Sequence, residues 1–511
     1  MYLNKKLVYN SLSGIVLYTI NICVAFIMSP VIIKFLGNRD YGLWEMVMSV
    51  IGYMGLLDLG IGPALVTFIS NADGKQDYKD MQHTMSTAFV FFFVLGSVAL
   101  LFFIILGFFP QLIAGSEVKS IYNLSIVFFL LGINIIMVFP LQVFITTLIG
   151  MQRHYFINSI RAIIAIMTAV ITYKLIHIYP TKGLIILAVL LPIFTLIQFI
   201  LFWGAIRIDK KIPSMTASAV SWTKMKELFD FGLKSTVMLI ASRLQNQSVP
   251  LIIGKVIGLG SVVYFVLPNR LIVYAKGFST TIGFPLIPFF GATIGKGDDK
   301  KVQSAWLQSS LVLQIVALPM PVIIFFCGEI FISLWIGPEY SEKGRWVLYY
   351  LLIGLTFESF SNNAYRILIA KAAHGRCATV WLILAVISIP CSIVTGKIWG
   401  VSGVALTMTI VTSLGNIFAL QMACKVMKIS LVIYFKETVL LLLYPLLSMI
   451  LVFCVVSQYT HAESYQGLLL QLIIVGIVYL SFVWRFTLNP ISRKLIIDYI
   501  SIVFSSLLKK K

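Results

Sequence analysis

Arg243, Arg270, Lys276, Glu358 and Arg366 stand well inside stretches that are otherwise apolar enough to cross a bilayer. An ionised side chain there costs roughly 2.5–3.5 kcal/mol on insertion scales. It persists where a partner, a water-filled cavity or an oppositely charged ligand meets it. Helical spacing groups these residues with other polar ones. Arg243, Asn246, Gln247 and Pro250 fall at i, i+3, i+4 and i+7, one face of a helix. Asn269 and Lys276, seven apart, share a stripe beside Arg270. Glu358, Ser361, Asn362 and Tyr365 share a face, with Arg366 on its flank. At 1.5 Å per residue, Arg243 lies roughly 16 Å deep. Glu358 and Arg366 admit two readings, an ion pair that fixes helix packing or part of a polar cavity. Arg243, Arg270 and Lys276 have too few carboxylates near them in sequence to be neutralised. These surplus cations call for a water-filled cavity or an anionic ligand.

Residues 41–70, "YGLWEMVMSVIGYMGLLDLGIGPALVTFIS", pose a second question. The run is long and apolar, yet it holds Glu45 near one end and Asp58 inside. Gly55, Gly60, Gly62 and Pro63 weaken the helix around Asp58 and free backbone groups. Two roles stay open for this broken span and its two acids. Asp58 pairs with a cation or caps the break, or it exchanges a proton and couples the protein to an ion gradient.

Other chemistry finds little support. Cys23, Cys327, Cys377, Cys391, Cys424 and Cys454 mostly lie in apolar runs without framework spacing, so they read as small hydrophobes. "GATIGKG" (Gly291–Gly297) has the wrong glycine spacing for a phosphate loop and lacks Ser or Thr after its lysine. His154 and His374 sit in loops or at span ends and are not expected to be ligands. Lys34 and Lys255 lie near span ends and snorkel. No metal, cofactor or catalytic group is expected, and the protein reads as a non-enzyme.

The elements that must hold these residues are membrane spans. Of 511 residues, 59% are hydrophobic and only 11% charged, with a mean hydropathy of +0.97, where soluble domains run near a quarter charged. About 20 apolar residues make a span. About fourteen are read, near 10–36, 41–69, 84–109, 122–149, 159–178, 183–206, 232–257, 261–290, 304–327, 347–370, 378–397, 399–424, 438–458 and 467–486. The N-terminus precedes the first without a cleavage site and reads as its cytoplasmic lead. One alternate set of loops, with the termini, holds 26 Lys and Arg and the other set 9. That asymmetry puts both termini in the cytoplasm and accounts for the net charge of +20 without nucleic acid. The outer loops are short, the longest being about "CGEIFISLWIGPEYSEKGRW".

The first twelve spans read as one six-span unit written twice. "PVIIKFLGNRDYG" from Pro30 resembles "PLIIGKVIGLGSVVYF" from Pro250, 220 positions on. His154 matches His374 and Gly183 matches Gly403 at the same offset. An even number of spans repeats with the same orientation, giving a pseudo-two-fold along the membrane normal. The expected parts are an N-lobe over 1–210, a cytoplasmic amphipathic connector over 211–231 and a C-lobe over 232–430. Two extra helices follow over 431–486, then a basic tail over 487–511. In the connector, Trp222, Met225 and Phe229 form one apolar face; in the tail, Leu495, Ile496, Tyr499, Val503 and Leu507 do.

With those residues in place, the chain resembles bacterial lipid-linked oligosaccharide flippases. These are the polysaccharide transporter family of the multidrug/oligosaccharidyl-lipid/polysaccharide (MOP) exporter superfamily. The likeness is strongest over Pro30–Lys75, where a proline-ended span, "LG…YGLW" and "DLGIG…AL" occur, and again at "LWIGPEY" (Leu334–Tyr340). The resemblance implies an all-α polytopic protein of the inner membrane, a MATE-like two-lobe V-shaped bundle with a 6+6 parallel repeat and two additional C-terminal helices. It implies alternating access around a cationic lumen. The implied cargo is an undecaprenyl-diphosphate-linked oligosaccharide, driven by an H+ or Na+ gradient or by supply, with membrane lipids and other glycan-assembly proteins as partners. Three other readings are a multidrug or cation antiporter of the same fold, a membrane-embedded glycan polymerase or ligase, and a scaffold for glycan enzymes. The basic interior opposes the first and the lack of a large outer loop opposes the second.

Overall fold

The computed structural model describes residues 5–114, 121–283, 286–295, 298–459, 464–488 and 493. Among these residues there is no strand. The helices are α1 (Lys5–Met54), α2 (Ile61–Lys75), α3 (Tyr78–Phe108), α4 (Gln111–Ala114), α5 (Ile121–Gly150), α6 (His154–Ile178), α7 (Gly183–Ile208), α8 (Trp222–Val256) and α9 (Val262–Gly283). They continue with α10 (Leu286–Ile294), α11 (Asp299–Ala317), α12 (Pro319–Trp335), α13 (Pro338–Ser361), α14 (Ala364–Ala370), α15 (Gly375–Met427), α16 (Leu431–Glu437), α17 (Leu443–Tyr459) and α18 (Tyr465–Phe482). Within hydrocarbon the helix satisfies its own backbone groups, which is why apolar runs of this length fold this way.

Nine helical stretches among the described residues are long and apolar enough to cross a membrane. Two of them carry a backbone break that divides each into two arms. Gly37 sits at φ 73°, ψ 168° inside α1, and Trp399 with Gly400 leaves the helical region inside α15. These fall where the loops after the first and eleventh spans are expected. Helices α8, α9 and α13, which carry Arg243, Arg270, Lys276 and Glu358, are not among the nine, because their polar residues lower their apolarity.

The chain forms two compact units, Met1–Val266 with Ala378–Thr407, and Leu267–Cys377 with Met408–Lys511. In the first, residues 222–231 do not form a separate interfacial helix as the sequence suggests. They are the opening turns of α8, since Gly232 stays helical and no proline intervenes. The Ser221 side chain caps that helix, accepting from the Lys224 N–H at 3.4 Å. The strand of chain before it is stitched to α3. Ser221 N–H donates to Thr87 Oγ1 at 3.0 Å, Gln82 Nε2 donates to the Ser214 carbonyl at 2.7 Å, and Lys224 pairs with Asp80 at 2.7 Å. The tail helix expected over 487–511 lies outside the described residues, apart from Thr487, Leu488 and Arg493.

The repeat is written into the backbone as well as the sequence. Gln152 (φ 57°) and Ala372 (φ 52°), 220 positions apart, are both left-handed residues that end a helix. The closing hydrogen bonds repeat with them. Gln152 N–H reaches the Ile149 carbonyl and Arg153 N–H that of Leu148, while Ala372 reaches Ile369 and Ala373 reaches Leu368. Identical turns at identical offsets in dissimilar sequence are a stronger sign of duplication than the matched residues alone.

Inside the first unit, α1 and α8 approach through glycines. A Cβ on Gly254 would lie 2.0 Å from Met46 Sδ, and one on Gly60 would lie 2.3 Å from the Gly232 carbonyl oxygen. Gly60 is also left-handed, at φ 75°, a conformation that favours glycine. Overpacking costs about 1–3 kcal/mol, so Gly60→Ala should lower the unfolding midpoint of the detergent-solubilised protein. Gly74→Ala, whose Cβ would meet nothing within 4 Å, should leave it unchanged. Equal midpoints for both variants would refute the close-approach account.

Candidate functional site

The polar residues singled out by helical spacing fall into two clusters, one in each unit. In the first unit the second span breaks where its glycines predict. α1 ends at Met54, a tight 3-10 turn covers Gly55–Asp58, and Leu59 (φ 48°) and Gly60 turn the chain into α2. Asp58 Oδ1 accepts the Gly62 N–H at 2.9 Å. The carboxylate therefore caps the start of α2, supplying an acceptor to a donor that the break leaves without a helical partner. A cap is one of the two roles weighed from the sequence.

Helix α8 lays its polar face on this break. The Arg243 guanidinium rests on Gly55, where a Cβ would come within 3.2 Å of Nη2. One turn on, the Gln247 carboxamide rests on Gly52, where a Cβ would lie 2.4 Å from Cδ. Ser248 and Tyr53 join their hydroxyls across the same interface. Arg243 is within electrostatic reach of Asp58, although among the described residues no carboxylate forms a direct ion pair with it. Asn246 shares the sequence face but not the contact. It is exposed, and its Nδ2 donates back to the Ser242 carbonyl at 2.8 Å. Glu45 lies thirteen positions before Asp58, roughly 20 Å along at helical rise, and takes no part in the break.

In the second unit the expectation that Lys276 lacks a carboxylate is wrong. Its Nζ pairs with Glu358 Oε2 at 2.5 Å, between α9 and α13. Glu358 is thereby committed to Lys276, and Arg366 bonds elsewhere. Arg366 Nη1 donates to the Asn362 carbonyl and, at 2.7 Å, to Asn362 Oδ1. Its guanidinium covers Gly283, where a Cβ would lie 2.4 Å from Cζ. Arg270 and Asn269 are half-buried on α9. The tenth span is not the continuous helix its spacing suggests, for it is interrupted at Asn362–Asn363. A buried network holds that interruption. The Trp306 indole N–H donates to the Asn363 carbonyl at 3.3 Å, and Asn363 Nδ2 donates to Ser309 Oγ at 2.8 Å. Gln314 Nε2 and the Tyr434 hydroxyl both donate to the Phe360 carbonyl, at 3.2 and 2.8 Å.

Sequence reasoning missed this network and the glycine floor under Arg243 and Gln247. The floor had a signal, since Gly52 and Gly55 are three apart and so lie on one helical face. The network had none, because its members are spread over three helices and the interruption itself.

Asp58→Asn keeps an oxygen for the Gly62 N–H and should retain the unfolding midpoint, whereas Asp58→Ala should lose about 0.5–2 kcal/mol, the usual worth of an N-terminal cap. Equal stability of the two variants would remove the capping role. For Lys276 and Glu358, the two single replacements should together cost more than the double replacement. A double-mutant cycle by thermal unfolding should show coupling of about 0.5–3 kcal/mol, and strict additivity would show that the pair does not interact.

Comparison with known proteins agrees with this architecture. The model of the family described as "Polysaccharide biosynthesis protein" matches residues 7–293, more than half of the chain. A Shigella flexneri protein described as an O-antigen transporter is 22% identical over 359 residues, which span 70% of this chain and 83% of that protein. The lipid II flippase MurJ, in an inward closed conformation, superposes with a TM-score of 0.71 at 16% identity, over 96% of this chain and 100% of that one. An inward-facing multidrug resistance MATE family transporter of the MOP superfamily superposes with a TM-score of 0.67 at 12% identity, over 81% and 94%. The chain belongs to the polysaccharide biosynthesis protein family and has the fold of MOP-superfamily transporters.

Proposed function

We propose that this protein is a flippase that moves an undecaprenyl-diphosphate-linked oligosaccharide from the cytoplasmic to the outer leaflet of a bacterial inner membrane. It does so by alternating access, with both termini in the cytoplasm. The observation that carries the reading is Arg243. A guanidinium rests on a bared glycine turn, in a segment read from its sequence as a membrane span, with no directly paired carboxylate among the described residues. Such a cation is tolerable where an anion reaches it, and a guanidinium offers a diphosphate paired donors in a fixed fork. Gln247 beside it supplies neutral donors; Arg270, on α9 of the second unit, is a separate cation that the cargo is proposed to meet. Because Lys276 is paired with Glu358, its part is to hold α9 against α13 rather than to bind phosphate.

Membership of the family described as polysaccharide biosynthesis proteins, and the likeness to a protein described as an O-antigen transporter, support a glycan cargo over a cationic drug. The Arg243 guanidinium argues the same way, since a drug cation would be repelled.

Arg243→Ala and Arg270→Ala should each abolish surface glycan in cells that depend on this protein, at unchanged membrane abundance, and Arg243→Lys should restore part of it. Normal surface glycan in both alanine variants would overturn the assignment. If Asp58 is a cap alone, Asp58→Asn should export normally at every external pH. Export that loses its pH dependence in that variant would make Asp58 a coupling residue instead.

A further inference from the structure

A second apolar feature lies away from these charges, in a groove between the first arm of α1 and α6. The two helices run parallel. Asn10 Nδ2 donates to the Gln152 carbonyl and Asn158 Nδ2 to Ser13 Oγ at one end, while the Phe35 and His177 rings meet at 4.5 Å at the other. Between them the helices part to leave a cavity of about 470 Å³. Ile20, Val24 and Ile27 line it from α1, and Ile166 and Val170 from α6, with Lys174 closing one end. From Ile166 to Lys174 the groove runs roughly 12 Å at helical rise, less than half of a hydrocarbon core about 30 Å thick.

Its charge is one-sided. The first arm of α1 (up to Gly37) and the whole of α6 contain no Asp or Glu. Lys174 is exposed, and none of the ion pairs among the described residues includes it. Lys34, His177 and Lys182 follow toward the same end, where the His177 ring packs on the exposed ring of Tyr173. An apolar slot that opens onto cations and aromatic rings at a helix end has the shape and charge of a lipid at the membrane interface.

We propose that this groove is a resident site for one anionic bilayer phospholipid, with an acyl chain lying between α1 and α6 and the headgroup phosphate on Lys174. A volume of about 470 Å³ is that of a single-ligand site, so it takes one chain of an ordinary phospholipid and not the far longer chain of a polyprenyl carrier. The unopposed lysine selects a net negative headgroup over a zwitterionic one. The inference is independent of the proposed cargo, because the site shares no residue with the Arg243 or Lys276 cluster.

Native mass spectrometry of the full-length protein, delipidated and then titrated with phosphatidylglycerol, phosphatidylcholine or polyprenyl phosphate, tests it. Wild type should retain one phosphatidylglycerol several-fold more strongly than phosphatidylcholine. Lys174→Gln should erase that preference, Lys174→Arg should keep it, and Ala169→Phe, which fills the groove while leaving Lys174 in place, should lose the bound lipid. Unfolding midpoints measured without added lipid confirm that each variant is folded; Lys174 is exposed, so its replacements carry no packing penalty. Equal retention of the two phospholipids, an unchanged preference in Lys174→Gln, or selective retention of polyprenyl phosphate would each overturn the proposal.

Discussion

The first unit depends on how closely α1 and α8 can approach. Gly52 removes a side chain from α1, Gly55 and Gly60 remove them from the turn that follows it, and Gly232 and Gly254 remove them from α8. In lipid no hydrophobic force drives helices together, so van der Waals contact across small residues must do it. The same absence of side chains frees the space that Arg243 and Gln247 occupy. Packing and polar site are therefore one arrangement: a larger residue at Gly52 or Gly55 would displace Gln247 or Arg243 as well as separate the helices.

The break after Met54 follows from that closeness. A continuous helix through residues 55–60 would leave no turn for Arg243 to rest on and no free amide at Gly62. Breaking it strands backbone groups in a region poor in water, which has to be compensated. Asp58 does so from within the broken segment. An acidic residue inside hydrocarbon, unfavourable by itself, is retained because it satisfies a backbone donor and faces a cation.

The second unit solves the same problem by other means. Its interrupted span at Asn362–Asn363 is held by Trp306, Gln314 and Tyr434, neutral donors directed at backbone carbonyls. Its charges are mostly consumed internally, Lys276 by Glu358 and Arg366 by Asn362. The two units thus differ in how their interior charge is spent. In the first, Arg243 forms no direct ion pair among the described residues, and in the second Lys276 and Arg366 are locked into packing.

The sequence by itself determined the class, the helices and the duplication. Apolar runs of span length have no other satisfied backbone conformation in lipid, and glycines and prolines mark where they break. It also located the break at Asp58 and placed Arg243 and Gln247 on one face, since both depend on residues within a turn or two. The partner of Lys276 was decided only by the tertiary structure, because Glu358 lies 82 positions away on another helix, and helical periodicity relates only residues on the same helix. The separation of Asn246 from its neighbours and the network around Asn363 were likewise set by packing. Each depends on which side chain a neighbouring helix presents at a given depth, and no local pattern encodes that depth.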